Sequence, residues 1–167
     1  MEVVLVNPEI PQNTGSIART CAATRTPLHL IKPMKFTICE KRVKRAGLDY
    51  WPFVSLTEHD SWESYLASRT NASKGKIWFL MKSGKIPYYQ ADFSIYDALV
   101  FGNESSGLPK ELAAQTPEEH RLAIPMAESA VRSLNLSNAV SIVLYEARRQ
   151  LHLDEPFEPR NTDQLNS

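Results

Sequence analysis

Short apolar runs that alternate with helical stretches constrain this chain more than any other feature. Residues 3–6, 28–31, 53–56, 77–81, 98–101 and 121–124 are each apolar or β-branched and are closed by Gly, Pro or Asn, which reads as six strands. Near-continuous runs such as Trp78-Phe79-Leu80-Met81 predict strands covered on both faces, as in a parallel sheet. The expected fold is therefore α/β, a mostly parallel sheet with helices on both faces.

The helices expected between these strands carry their own start signals. One over 13–25 opens at the capping-type Asn13. Asp60-Ser-Trp-Glu63 has the layout of a capping box, with Asp in the Ser/Thr place, opening a helix to Ser68. Pro109 suits the first position of a short helix through Ala114. Over 137–151, Val140, Val143, Leu144, Ala147 and Leu151 fall on one buried stripe, and Arg148 and Arg149 favour the negative end of the dipole. The 167 residues suit one domain, expected over 1–152, followed by a loose polar tail over 153–167.

Composition removes several function classes. No apolar run approaches the roughly 18 to 20 residues that cross a bilayer, so no membrane association is expected. Met-Glu-Val-Val-Leu-Val has an acid and no basic flank, so it reads as a buried strand instead of a signal peptide. A cytoplasmic protein with Cys21 and Cys39 as reduced thiols follows. Two cysteines and four scattered histidines lack metal-ligand spacing, so no metal is expected.

The net charge is zero, but residues 1–85 hold 13 Lys+Arg against 7 Asp+Glu and residues 86–167 hold 6 against 12. Much of the excess lies in Lys32-Pro-Met-Lys35 and Lys41-Arg42-Val-Lys44-Arg45, where Glu40 is the only acid. Such a patch can grip phosphates, or it can be a solvated helix face.

Ligands of open α/β sheets gather at the carboxyl ends of strands, and three unusual loops follow strands here. The first is Asn7-Pro-Glu-Ile-Pro-Gln-Asn13-Thr-Gly15-Ser-Ile-Ala-Arg19. Gly15 permits close backbone approach, and an anion held there would meet helix N–H groups and the Arg19 guanidinium; a capped helix with a surface arginine is the plain alternative. The second is Phe101-Gly102-Asn-Glu104-Ser-Ser-Gly107-Leu-Pro109, neither a Walker A loop nor a dinucleotide fingerprint, and suited to bringing bare backbone near an uncharged ligand. The third joins Ile124-Pro-Met126 to Arg132-Ser133-Leu-Asn135-Leu-Ser-Asn138, whose polar groups either cap the last helix or face a ligand. Ser105-Ser106 lies in no nucleophile elbow. Trp51, Tyr88 and Tyr89 could stack bases, though packing is the commoner use of such rings.

These three loops, in this order and with Lys41-Arg42-Val-Lys-Arg45-Ala-Gly-Leu-Asp49-Tyr50, resemble the SPOUT superfamily of RNA methyltransferases. The likeness is closest to its minimal TrmL (YibK-like) branch, the tRNA wobble-ribose 2′-O-methyltransferases, and runs from the first strand to about Leu151. It implies a C-terminal trefoil knot, S-adenosylmethionine as methyl donor, and a homodimer through the last helix. The implied substrate is the wobble cytidine or modified uridine of tRNA, in leucine isoacceptors. Carried over by motif, Leu80, Gly102, Glu104, Ile124, Met126, Ser133 and Leu134 would hold the cofactor. Arg19, Asn13, Ser133 and Asn135 would form the catalytic group, and Arg42, Lys44, Arg45, Arg132 and Tyr145 would grip RNA. The chain departs from the family spacing by one extra residue within 127–131. Two other readings stand beside this one: a 2′-O-methyltransferase for another tRNA or ribosomal RNA nucleotide, and a non-catalytic RNA-binding or assembly module that keeps the knot.

Overall fold

The computed structural model describes residues 1–37, 49–69, 75–128 and 130–153. Its first strand, β1 (Glu2–Val6), has four successive buried side chains and sits in mid-sheet between two parallel neighbours. The chain continues through α1 (Pro11–Thr24), β2 (Leu28–Ile31), β3 (Leu56–His59), α2 (Trp62–Ser68), β4 (Ile77–Leu80) and β5 (Ile86–Pro87). β6 (Ala98–Phe101), α3 (Lys110–Gln115), β7 (Arg121–Ala123) and α4 (Leu136–Gln150) complete it. The strand order is β3-β2-β1-β6-β4-β7-β5, and every pairing is parallel.

Alternation along the central strands divides the core into two layers. Val3, Leu5, Leu28, Leu30, Leu99 and Phe101 pack with Ile17, Ala18 and Cys21 of α1 and with Val140, Val143, Leu144 and Ala147 of α4. Val4, Val6, Ile31, Ala98 and Val100 face the other way, onto Tyr65 of α2 and Leu112 of α3. The α/β class and its parallel sheet are thus as expected. The stripe of α4 is spent inside the chain: Val140, Val143, Leu144 and Ala147 are fully buried, Leu151 is the half-buried residue just past the helix end, and truncating Leu144 to Ala would cost about 2–5 kcal/mol. Arg148 fastens the far end of α4 by donating to the Thr24 carbonyl at 2.8 Å.

The boundaries differ from the sequence reading where local chemistry overrides pattern. The strand expected over 53–56 is instead a 3-10 turn, Trp51–Phe53, followed by β3 at Leu56–His59. Pro52 fixes φ and has no N–H to give a ladder, and β3 is a partly polar edge strand that no apolar run announces. β5 was not expected at all; it contains Pro87, which only a sheet edge accommodates. Asn13 is not a cap: α1 starts at Pro11, its cap position is Ile10 with no side-chain bond, and Asn13 is buried. α2 is capped by Ser61, whose Oγ accepts from the Ser64 amide at 3.2 Å, while Asp60 pairs with Lys32. Pro109 is the cap of α3, and α4 begins one residue earlier than expected, with Asn135 as its cap.

Among the described residues no helix is long and apolar enough to cross a membrane. Cys21 is a free buried thiol whose pKa burial pushes up to about 12, leaving it inert. Cys39 and all of the expected tail beyond Leu153 lie outside the described residues.

Candidate active site

The strand order changes direction at β1: β2 and β3 lie on one side, and β6, β4, β7 and β5 on the other. Ligands of open α/β sheets bind outside the carboxyl ends of strands at such a point. Beside it a cavity of about 760 Å³ opens, where β4, β6 and β7 end and where the β1–α1 loop runs into α1 at Ile10 and Asn13. That volume lies within the range of roughly 300–1,000 Å³ typical of small-molecule sites.

The 102–108 loop is rigid because its own groups close it. Asn103 and Gly107 exchange backbone bonds of 3.0 and 3.1 Å. The Asn103 Oδ1 accepts from the amides of Ser106 at 2.7 Å and Gly107 at 3.1 Å. Gly102 is enclosed by this turn: a Cβ there would lie 2.0 Å from the Gly107 carbonyl carbon. Gly107 takes φ +76°, the left-handed region that favours glycine.

Glu104 projects from this loop to the start of α1. Its carboxylate accepts from the Glu9 amide at 2.9 Å, the Ile10 amide at 3.2 Å and the Asn13 Nδ2 at 3.0 Å. It thereby supplies the anionic cap that α1 lacks in its own sequence. Asn13 passes the connection on, its Oδ1 accepting from the Asn135 Nδ2 at 2.9 Å. Asn135 in turn caps α4, its Oδ1 accepting from the Ser137 amide at 2.9 Å and the Ser137 hydroxyl at 2.7 Å. One chain of hydrogen bonds therefore joins the three loops that the sequence singled out.

The structure brings Leu80, Gly102, Glu104, Ile124, Met126, Ser133 and Leu134 into the wall of this single cavity, together with Asn13, Arg132 and Asn135. Arg19 is not in the wall. It lies six residues beyond Asn13, roughly 9 Å along α1, exposed, with its guanidinium carbon 4.6 Å from the centroid of the Tyr50 ring. Tyr145, half exposed on α4, also stands outside the wall. Arg42, Lys44, Arg45 and Ser129 lie outside the described residues. The two described lysines of the basic patch are internally paired, Lys32 with Asp60 at 3.1 Å and Lys35 with Glu9 at 2.6 Å.

The sequence reading missed Ile10, Lys82 and Ser83 as lining residues, and it gave Tyr50 no role. Lys82 and Ser83 follow the carboxyl end of β4, so the strand-end rule alone would have found them. A second polar cluster lies away from the cavity. There the Tyr65 hydroxyl donates to Glu2 at 2.6 Å, and His29 contacts both Glu2 at 3.3 Å and His59 at 2.9 Å.

Residues 1–145 match the model of the SpoU rRNA Methylase family. A protein of Bacillus subtilis (strain 168), provisionally named a tRNA (cytidine(34)-2′-O)-methyltransferase, is 51% identical over 153 residues, 90% of this chain and 92% of its own. A solved structure concerned with the 2-OH methylation of C/U34 on tRNA is 47% identical, with a TM-score of 0.80 over 90% of this chain and 95% of that one. The SpoU methyltransferase AviRb from Streptomyces viridochromogenes, in complex with AdoMet, superposes with a TM-score of 0.77 at 25% identity, over 91% of this chain and 58% of that one.

Proposed function

This chain belongs to the SpoU methylase family, and on that premise we propose that it transfers the methyl group of S-adenosylmethionine to the ribose 2′-hydroxyl of a tRNA wobble nucleotide, cytidine or modified uridine. The observation that carries the reading is the cavity at the carboxyl ends of β4, β6 and β7, with three loops tied over it by Glu104, Asn13 and Asn135.

The donor set suits the cofactor. The Gly102 backbone lines the cavity, and Leu80, Ile124, Met126 and Leu134 offer apolar surface for a flat base. Ser133 and Asn135 add polar atoms to the lining, where they would orient donor or ribose. Bound there, S-adenosylmethionine would supply a methyl group on a sulfonium, already a good leaving group. What remains for the chain is alignment, which can supply roughly 7–11 kcal/mol of a barrier, and the handling of one proton.

The Arg19 guanidinium has five N–H donors and no acceptor, so it cannot serve as the general base. Its role in this reading is to orient the ribose or adjacent phosphate and to stabilise developing alkoxide charge. Glu104 already accepts three N–H donors, which argues for phosphate or water as the proton's destination. Arg132 on the cavity rim, with Tyr145, Arg42, Lys44 and Arg45, would grip the RNA. A single domain over 1–152, a homodimer through α4 and a cytoplasmic site of action complete the proposal. So does a C-terminal trefoil knot, in favour of which β6 lies between β1 and β4 while α4, following β7, returns to pack on α1.

The family description names ribosomal RNA, so one experiment should offer both substrates. Labelled S-adenosylmethionine is incubated with unmodified tRNA and with ribosomal RNA, and the digested nucleosides are identified. Label in a 2′-O-methyl nucleoside from tRNA is expected. Label on a base contradicts the chemistry, and label confined to ribosomal RNA moves the substrate to the alternative.

A further inference from the structure

We propose that Tyr50 is a positioning residue that holds the Arg19 guanidinium in its working orientation through the face of its ring. The proposal rests on the reading of Arg19 as the cation beside the ribose.

The Tyr50 ring lies along one turn of α1. Its hydroxyl donates to the Gly15 carbonyl at 3.0 Å, and the Arg19 guanidinium carbon stands 4.6 Å from its centroid. Gly15 and Arg19 are four residues apart, so the two contacts lie one above the other on the same helix face. The ring is itself fixed. Tyr50 leads into the Trp51–Phe53 turn, its carbonyl accepts from the Phe53 amide at 3.0 Å, and its side chain is partly buried against the core.

The kind of contact matters as much as its place. Arg19 is exposed, and an exposed arginine ordinarily samples many rotamers. Among the described residues it makes no ion pair. A carboxylate partner would fix the side chain but would consume N–H donors and neutralise its charge. An aromatic face orients the guanidinium plane while leaving the five N–H donors at its edge and its full charge for a ribose oxygen or phosphate.

The test is a double-mutant cycle in the full chain, read by single-turnover methyl transfer into tRNA together with S-adenosylmethionine binding by calorimetry. Tyr50→Leu is expected to lower the rate roughly three- to tenfold with cofactor affinity unchanged, and Tyr50→Phe to stay within about twofold of the parent. In an Arg19→Ala background, Tyr50→Leu should then alter the residual rate less than about twofold. An equal fall in both backgrounds overturns the proposal while leaving the function standing. Normal turnover by Arg19→Ala alone removes the role of Arg19, and the clamp with it. Should Tyr50→Leu fail to fold, phenylalanine and its progressively fluorinated analogues at position 50 keep the shape and deplete the ring face. A rate that falls with each fluorine supports the clamp, and a flat series overturns it.

Discussion

Asn135 donates to Asn13 at 2.9 Å although 122 positions separate them, so the entrance of the last helix is fastened to the first turn of the first. Asn13 is in turn bound to Glu104, and the cavity wall is set by this relay instead of by three independent loops.

Breaking the relay should cost stability first. Glu104→Gln removes the charge that caps α1 and places an amide N–H₂ against donors. Hydrogen bonds to charged groups contribute about 1.5–3 kcal/mol, so a fall in Tm of roughly 4–8 °C is expected by calorimetry. Asn13→Asp, which sets a second carboxylate against Glu104, should cost more. Unchanged melting in both variants would show that the loops hold without the relay.

The two glycines of the 102–108 loop should behave differently. Gly102→Ala drives a methyl against backbone at 2.0 and 2.2 Å, which the loop cannot relieve without opening. We expect S-adenosylmethionine affinity to fall at least about tenfold by calorimetric titration. At Gly107 a Cβ meets nothing within 4 Å, and the cost is the left-handed φ alone, about 1–2 kcal/mol of stability with affinity largely kept. The reverse ranking would place the ligand elsewhere.

The polar cluster away from the cavity predicts how stability follows pH. Burial, and then the neighbouring His29, hold His59 below its ordinary value of 6.5, against smaller opposing effects of Glu2 and Asp60. The unfolded chain therefore binds this proton first as pH falls, and stability is lost from about pH 6.5 downward. Glu2 is also lowered: burial opposes, but hydrogen bonds with His29 and Tyr65 prevail, so its contribution is present above about pH 4.5 and lost below it. Melting temperatures of the parent should decline between pH 7 and 5, and His59→Gln should flatten that decline. A profile identical in both proteins would assign the loss to other groups.

How far the sequence carried this structure depended on the kind of signal. The interior strands and the α4 stripe were legible because burial on two faces, or on one stripe, imprints an apolar pattern. β3 and β5 were not, since edge strands carry polar residues or proline and announce themselves only through their neighbours. The cavity's residues were legible as loops following strands. The purpose of Asn13 was hidden, because its partners Glu104 and Asn135 lie 91 and 122 positions away and no local pattern distinguishes such an asparagine from a cap. The stacking of Tyr50 on Arg19 was hidden for the same reason.

The proposed substrate is tested most directly by mapping the methyl group within tRNA. Transcripts lacking native modifications are treated with the protein and S-adenosylmethionine, then cut to oligonucleotides and sequenced by mass spectrometry. A single added methyl on the ribose of nucleotide 34, absent with Arg19→Ala, is the expected result. A methyl at any other nucleotide, or none in tRNA from a preparation that binds the cofactor, would contradict it.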